Sequence, residues 1–185
     1  AASTSQSNNT ASLTEKILPT ITNVTSTTGN GSYKQGDVIA ITVVFSEVVN
    51  VTGTPQLTLN NVSGGSNPVV NYSTGTGSNT LTFNYTVGSG ETSNDLDYFA
   101  TNSLALNGGT IKDAALNDAT LTLASPGAAN SLGANKDLIV DNTVPTISSV
   151  GLNAANSELT VTFSEDVYNT NGGSGNLEVA DFALS

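Results

Sequence analysis

The chain has no cysteine, histidine, methionine, tryptophan or arginine, and the only bases among its 185 residues are four lysines. Each absence removes a class of chemistry. Without His or Cys there is no Ser-His-Asp or Cys-His nucleophile system and no histidine base near neutral pH. Nor is there a thiolate or imidazole ligand set for zinc, copper or an iron–sulfur cluster. The lack of cysteine also excludes a small disulfide-stapled scaffold. Fifteen acids stand against the four lysines, a net charge of −11. Nucleic acid and anionic lipid are therefore not expected partners, because both need clustered Lys or Arg. No apolar run approaches 18 residues and no basic start precedes an apolar stretch, so neither membrane insertion nor an uncleaved signal peptide is expected.

Ser, Thr and Asn fill the space these residues leave, with 22, 27 and 23 copies. Thr with Val and Ile favours strands, and Gly with Asn favours the turns between them. Residues 1–18 read as a polar leader or linker without apolar period. From Ile17 onward short alternating runs are separated by turn clusters, the pattern of a β-sandwich. Strands are predicted at 20–24, 37–46, 55–60, 68–73 and 80–87. Ile39, Ile41, Val43 and Phe45 share one face of the second, and Leu81, Phe83, Tyr85 and Val87 one face of the fifth. Beyond them lie a hairpin around Gly108-Gly109 (104–111), the run Thr120–Leu123, and a closing strand over 137–141. No window supports a helix of three turns. The fold class is all-β, an antiparallel sandwich.

An internal repeat sets the organisation. Pro19-Thr20-Ile21-Thr22-Asn23-Val24 recurs as Pro145-Thr146-Ile147-Ser148-Ser149-Val150, an offset of 126. The strand Ile41-Thr42-Val43-Val44-Phe45-Ser46-Glu47 recurs as Leu159-Thr160-Val161-Thr162-Phe163-Ser164-Glu165, an offset of 118. Matched blocks in the same order indicate a tandem repeat. The second copy is eight residues shorter between its blocks and lacks the neighbourhood of Tyr33–Asp37. The first repeat is expected over 19–141 and a second over 145–185. The second is too short to close a sandwich, which takes about 100 residues. It reads as a fragment of a longer chain or as a unit completed by another molecule.

The stretches YKQGDVIAITVVFSEVVNVTGTPQLTLN, GSNTLTFNYTVGSGETSNDLDY, LNGGTIKDAALND and VDNTVPTISSV resemble the immunoglobulin-like tandem repeats of very large bacterial surface proteins and adhesins, over most of 19–185. The resemblance implies immunoglobulin-like β-sandwich repeats in a modular protein at the bacterial cell surface or secreted from it. It also implies an adhesive or stalk role. Leu116 departs from the pattern, since relatives carry Gly in the corresponding loop, and a tight turn there is in doubt.

With no softer ligands available, the acids decide what can be bound. Hard oxygen donors from Asp, Glu, Asn and backbone carbonyls suit Ca²⁺, which takes six to eight of them. Alternating strand directions put Asp37 and the loop bearing Glu91, Asp95 and Asp97 at the exit end of the first repeat, near Asp141 and Asn142. The same alternation puts Glu165 and Asp166 at the leading end of the second. Both groups then face the 141–145 linker, a layout resembling cadherin junctions, where calcium clamps two domains and their connector. Glu47, the counterpart of Glu165, with Glu15 nearby, would serve a joint to a preceding domain. Asp113 and Asn117 suit either a local calcium loop or an Asx-turn, and the Asx-turn is favoured.

No catalysis is expected. Carboxylate pairs such as Glu91 with Asp95 lack the tryptophan platforms on which glycosidases hold sugars. The expected function is a non-catalytic structural repeat of an extracellular adhesin or surface filament, stiffened by Ca²⁺ at its linkers and partnered by neighbouring repeats. The alternatives are an adhesive module binding a host, surface or glycan ligand, and a pilus-like subunit assembled by strand complementation.

Overall fold

Alternation decides which segments become strands and which edges meet. In strand β3 (Val38–Thr52) Ile39, Ile41, Val43 and Phe45 are buried, and in β6 (Ser78–Thr86) Leu81, Phe83 and Tyr85 are buried. The two pair antiparallel with Ile39 opposite Tyr85, Ile41 opposite Phe83 and Val43 opposite Leu81, which places all six on one face. These positions come from a computed structural model describing residues 16–60, 65–168 and 175–178. Of the polar leader, residues 1–15, including Glu15, lie outside the described residues.

Strand β1 (Ile21–Ser26) pairs with the other edge of β3, Val24 opposite Val43, with a register shift between Ile21 and Asn23. A short parallel pair joins β2 (Gly31–Tyr33) to β9 (Leu138–Val140). Strand β5 (Val69–Thr74) lies beside β6 through Tyr72 and Thr74, then leaves it and pairs through Val69–Asn71 with β4 (Gln56–Thr58). Strand β7 (Leu104–Ala105) follows β4, and β8 (Thr110–Lys112) pairs with the far end of β3. The hydrogen-bonded order is β1-β3-β6-β5-β4-β7. Because β3 and β5 each change partners along their length, this path folds over into two layers. Ile41, Val43, Leu81 and Phe83 from one layer share a single core with Leu57, Leu104 and Ile111 from the other. At roughly 1.5–3 kcal/mol for each fully buried large apolar side chain, that core is the main stabilising term. The all-β antiparallel sandwich expected from the alternation is the observed architecture.

Some local expectations fail. Residues 104–111 are not a hairpin, because β7 pairs with β4 and β8 with β3. The chain instead passes at Gly109 from the edge of β4 to the edge of β3, so close to β3 that a Cβ on Gly109 would collide with the Thr52 carbonyl oxygen. Thr120–Leu123 forms no ladder: Thr120 makes one parallel bridge to Thr20 and Leu123 is buried. Neither β2 nor the last residues of β3 stand out in the sequence, for GSY has one large apolar side chain. Helix is limited, among the described residues, to α1 (Leu132–Asn135), capped by the Ser131 hydroxyl and anchored by buried Leu132.

The doubted turn at Leu116 does form. Asp113 Oδ1 accepts from the Asn117 backbone N–H at 2.7 Å, Oδ2 accepts from the Asn117 side chain at 2.6 Å, and Leu116 N–H donates to the Asp113 carbonyl. Burial works to raise the Asp113 carboxyl, but its bonds to Asn117 and Ala115 and the Lys16 charge outweigh it and hold the group below the usual aspartate range. Leu116 itself sits at φ 67°, a left-handed conformation, with 75% of its surface exposed. Since the left-handed region costs a Cβ-bearing residue about 1–2 kcal/mol, Leu116→Gly should stabilise the chain by about 1 kcal/mol, readable as a higher urea midpoint.

Strands β10 (Ile147–Leu152) and β11 (Leu159–Phe163) form a separate antiparallel hairpin that copies β1 and β3. Val150 faces Val161 as Val24 faces Val43, and the register shift falls between Ile147 and Ser149 as it does between Ile21 and Asn23. The flanking bonds repeat as well. Thr20 N–H donates to Ser46 Oγ and Ser46 N–H to the Thr20 carbonyl; Thr146 and Ser164 exchange the same pair. The difference lies between the strands: the first copy inserts β2, whereas the second closes with a tight turn in which Asn153 Oδ1 accepts from Ser157 and Glu158.

Candidate functional site

The acidic and amide residues singled out by the sequence fall into three groups. At the exit end, Asn142 ties three segments together. Its Oδ1 accepts from the Gln35 N–H at 2.6 Å, and its Nδ2 donates to the carbonyls of Gly88 at 2.9 Å and Glu91 at 2.8 Å. Asp37 closes the first of those loops by accepting from the Lys34 N–H. Glu91 closes the second, its Oε2 accepting from the Gly88 N–H and the Tyr85 hydroxyl, each at 2.6 Å. Burial, and then that bond to the Glu91 carboxylate, raises the Tyr85 hydroxyl far above its ordinary pKa. Asp141 enters through its backbone N–H, bonded to the Tyr33 carbonyl, and its exposed carboxylate accepts from Thr143. Asp37, Glu91 and Asn142 thus meet at the start of the linker, as the alternation of strands required.

Asp95 and Asp97 form a second group farther up the chain. Ser93 bridges Val140 and Leu96 N–H reaches the Leu138 carbonyl, so the segment climbs away from the linker along β9. Both carboxylates turn to α1: Asp95 Oδ2 and Asp97 Oδ2 each lie 3.0 Å from where a Cβ on Gly133 would sit. Asp97 is buried, and its oxygens accept from the N–H groups of Tyr98 and Gly127. Burial and then the Asp97 charge push the Tyr98 hydroxyl up to about 12. Asp95 is exposed and borders an open cavity of about 360 Å³ with Asn30, Asn135, Lys136 and Asp137.

Partial burial first, then the charges of Asp97 and Asp137, raise the Asp95 carboxyl above its ordinary 3.8. A raised carboxyl binds its proton more tightly in the folded chain than in the unfolded one. Its contribution to stability is therefore full below 3.8 and is lost as pH climbs through the raised value. In a carbon-detected NMR titration Asp95 should show a midpoint above 3.8, and Asp97→Asn should bring it part of the way back.

The third group belongs to the second hairpin. Glu165 and Asp166 follow Ser164, which is bonded to Thr146, so both acids lie at the leading end of that unit. Tyr168 donates weakly to Asp166 at 3.5 Å. Among the described residues Glu165 Oε1 is enclosed without a hydrogen-bond partner, and so is Oε1 of Glu47, its counterpart in the first unit. An enclosed carboxylate oxygen left unpaired costs about 1–3 kcal/mol, more when charged, and here the same atom is orphaned twice at one repeat position.

Two residues of the Asp95 group escaped sequence reasoning. Asp137 looked like a strand start, and Gly133 lies in a stretch without apolar period; only the packing of α1 brings them to Asp95. Among the described residues no set of three or more acidic side chains closes into a metal cage, and no helix is long and apolar enough to cross a membrane. No protein-family model matches the chain, nor does any curated protein or solved structure.

Proposed function

We propose that the chain is a non-catalytic structural module of a large extracellular bacterial adhesin or surface filament, in which immunoglobulin-like sandwiches follow one another as spacers. The observation that carries this reading is the duplication, in which β10 and β11 reproduce β1 and β3 in register, bulge and flanking bonds. Units stacked in this way contact only their neighbours and supply length. The connector between them begins at Asn142, a residue held by both exit loops, which favours a directed joint over a loose one.

Calcium at the joint is the second part of the reading. Asp141 and Asp166 offer exposed carboxylates on either side of the connector, and Glu165 offers an enclosed oxygen with no partner among the described residues. Away from the joint, beside α1, Asp95 and Asp97 offer a separate crowded pair whose repulsion a divalent cation would relieve. Bound ions would offset carboxylate repulsion along the chain and turn linked beads into a rod. Titrating Ca²⁺ into the protein calorimetrically should give saturable heat and raise the melting temperature, with chelator reversing both. At a hundredfold excess over Kd the gain is about 2.7 kcal/mol. No heat and an unchanged melting temperature would remove calcium and leave the spacer.

One observation favours an adhesive module instead. Where β5 parts from β6, a cleft of about 490 Å³ opens among Asn71, Tyr72, Ser73, Asn84, Tyr85 and Glu91. Its size and its amide and hydroxyl lining suit a neutral glycan. Chemical-shift changes at those residues on adding oligosaccharide mixtures would favour that reading.

A further inference from the structure

Asparagine followed by glycine is the dipeptide at which a chain most readily modifies itself, because a residue without a Cβ leaves its backbone nitrogen open to the asparagine side chain before it. The pair occurs as Asn30-Gly31, Asn107-Gly108 and Asn171-Gly172, the last outside the described residues. The fold treats the first two in opposite ways.

At Asn30-Gly31 both reacting groups are held. Gly31 N–H donates to the Asp137 carbonyl at 3.0 Å where β2 joins β9, and Asn30 Oδ1 accepts from the Asp137 N–H at 3.3 Å. At Asn107-Gly108 the nitrogen is open. Residues 106–109 form a tight turn, closed by the Gly109 N–H donating to the Leu106 carbonyl at 2.8 Å, with both central residues left-handed at φ 47° and 77°. The Gly108 N–H has no partner among the described residues, and no atom beyond its chain neighbours lies within 4 Å of where a Gly108 Cβ would sit. Asn107 and Gly108 are both exposed, and the Asn107 side chain is tied by one long bond, Nδ2 to the Thr54 carbonyl at 3.2 Å.

We propose that Asn107-Gly108 is a self-modification site, at which the chain deamidates through a succinimide with water as the only reagent. The Gly108 nitrogen bonds to Asn107 Cγ, the Cγ–Nδ2 bond breaks, and ammonia leaves with the proton from that nitrogen. Water then opens the ring at either carbonyl. Opening at Cγ restores the ordinary main chain with an aspartate at position 107. Opening at the main-chain carbonyl routes the chain through Cγ as isoaspartate and adds a methylene to the backbone. A water is consumed, an ammonia is released, and nothing is oxidised or reduced.

The fold has no slack there for a longer backbone. A Cβ on Gly109 would collide with the Thr52 carbonyl oxygen, and one on Gly53 would lie 2.8 Å from the Gly109 Cα. The chain then enters β8 at once, with Thr110 opposite Thr52 and buried Ile111 opposite Val51. Val51 N–H donates to Thr76 Oγ1 and the Ile111 carbonyl accepts from Ala119, so the bonds between β8 and β3 are carried by Thr110 and Lys112. Isoaspartate at position 107 pulls on those two residues, whereas aspartate changes the charge and leaves the path of the chain alone.

This inference stands apart from the spacer and calcium readings, so its failure leaves both untouched. The 185-residue protein is warmed at mildly alkaline pH, digested and mapped by mass spectrometry, with isoaspartate counted by enzymatic methylation. Isoaspartate should accumulate at position 107 at least tenfold faster than at position 30. In urea, where the bonds to Asp137 are gone, the two rates should converge. In the isoaspartate fraction, NMR should show amide exchange at least tenfold faster at Thr110 and Lys112. Asn107→Gly protein aged alongside should keep that protection, and fresh Asn107→Asp should lose much less of it. No isoaspartate at position 107, equal rates in the folded protein, or a difference that survives in urea would overturn the site. Equal loss of protection in Asn107→Asp would overturn the argument from backbone length.

Discussion

Phe45→Ala should cost about 3–5 kcal/mol of unfolding free energy, whereas Phe163→Ala, the same change at the same repeat position, should fall within about 0.5 kcal/mol of the parent. Phe45 is 1% exposed, opposite Ile21 on β1 and in one core with Leu81 and Phe83. Deleting its ring removes transfer free energy and leaves a cavity that two hydrogen-bonded layers cannot collapse to fill. Phe163 has the equivalent backbone and the equivalent pairing to Ile147, yet no second layer lies over it among the described residues. Urea unfolding followed by far-ultraviolet circular dichroism measures both. Because a loss near 5 kcal/mol approaches the whole stability of an ordinary domain, Phe45→Leu serves as a milder companion if the alanine variant fails to fold. Equal costs at the two positions would mean that the second hairpin is already covered within the chain.

Asn142→Ala should cost about 3 kcal/mol and loosen the exit end specifically. Three hydrogen bonds are lost at about 1 kcal/mol each, one to Gln35 and two to the carbonyls of Gly88 and Glu91. Amide exchange should accelerate at Gln35, which loses its acceptor, while the amides of β3 facing β6 keep their protection. Asn142→Asp keeps an acceptor for Gln35 but turns a second carboxylate oxygen toward two carbonyl oxygens beside Glu91. It should therefore be worse than alanine at neutral pH. The gap should narrow as acid protonates the new carboxyl, since an O–H can again donate to one of those carbonyls. If Asn142→Ala leaves Gln35 exchange unchanged, the linker is held by the pairing of β2 with β9 alone.

The strands that could be read directly were those with a complete alternating face. Ile39 through Phe45 and Leu81 through Val87 announce themselves because each buries one side and wets the other. The repeat was equally legible, and its structural copy extends to the bulge and the Thr–Ser exchange. Strands β7 and β8 were read as a hairpin with each other and pair instead with β4 and β3, because two or three residues carry no period and Leu104 and Ile111 are apolar whichever sheet they join. Among the acids, strand direction was enough to bring Asp37 and Glu91 to Asn142. It could not show that Asp95 and Asp97 turn toward α1, because a four-residue helix held by one cap and one leucine leaves no periodic trace. The orphaned oxygens of Glu47 and Glu165 were also beyond it, since enclosure of a single atom depends on neighbours distant in the chain.

The sequence by itself determined that this protein is a chain of β-strands, that its first hairpin occurs twice, and that only oxygen ligands are on offer. Composition and period are local properties, and local propensity is enough to set them. The tertiary structure alone decided which strand lies next to which, that β3 and β5 change partners and so bend one sheet path into two layers, and that the two hairpins meet different fates. Similar local sequences made hairpins of the same register, but burial is a relation between segments. The first hairpin has β6 along its open edge and a core above it, while among the described residues nothing packs on the same face of the second.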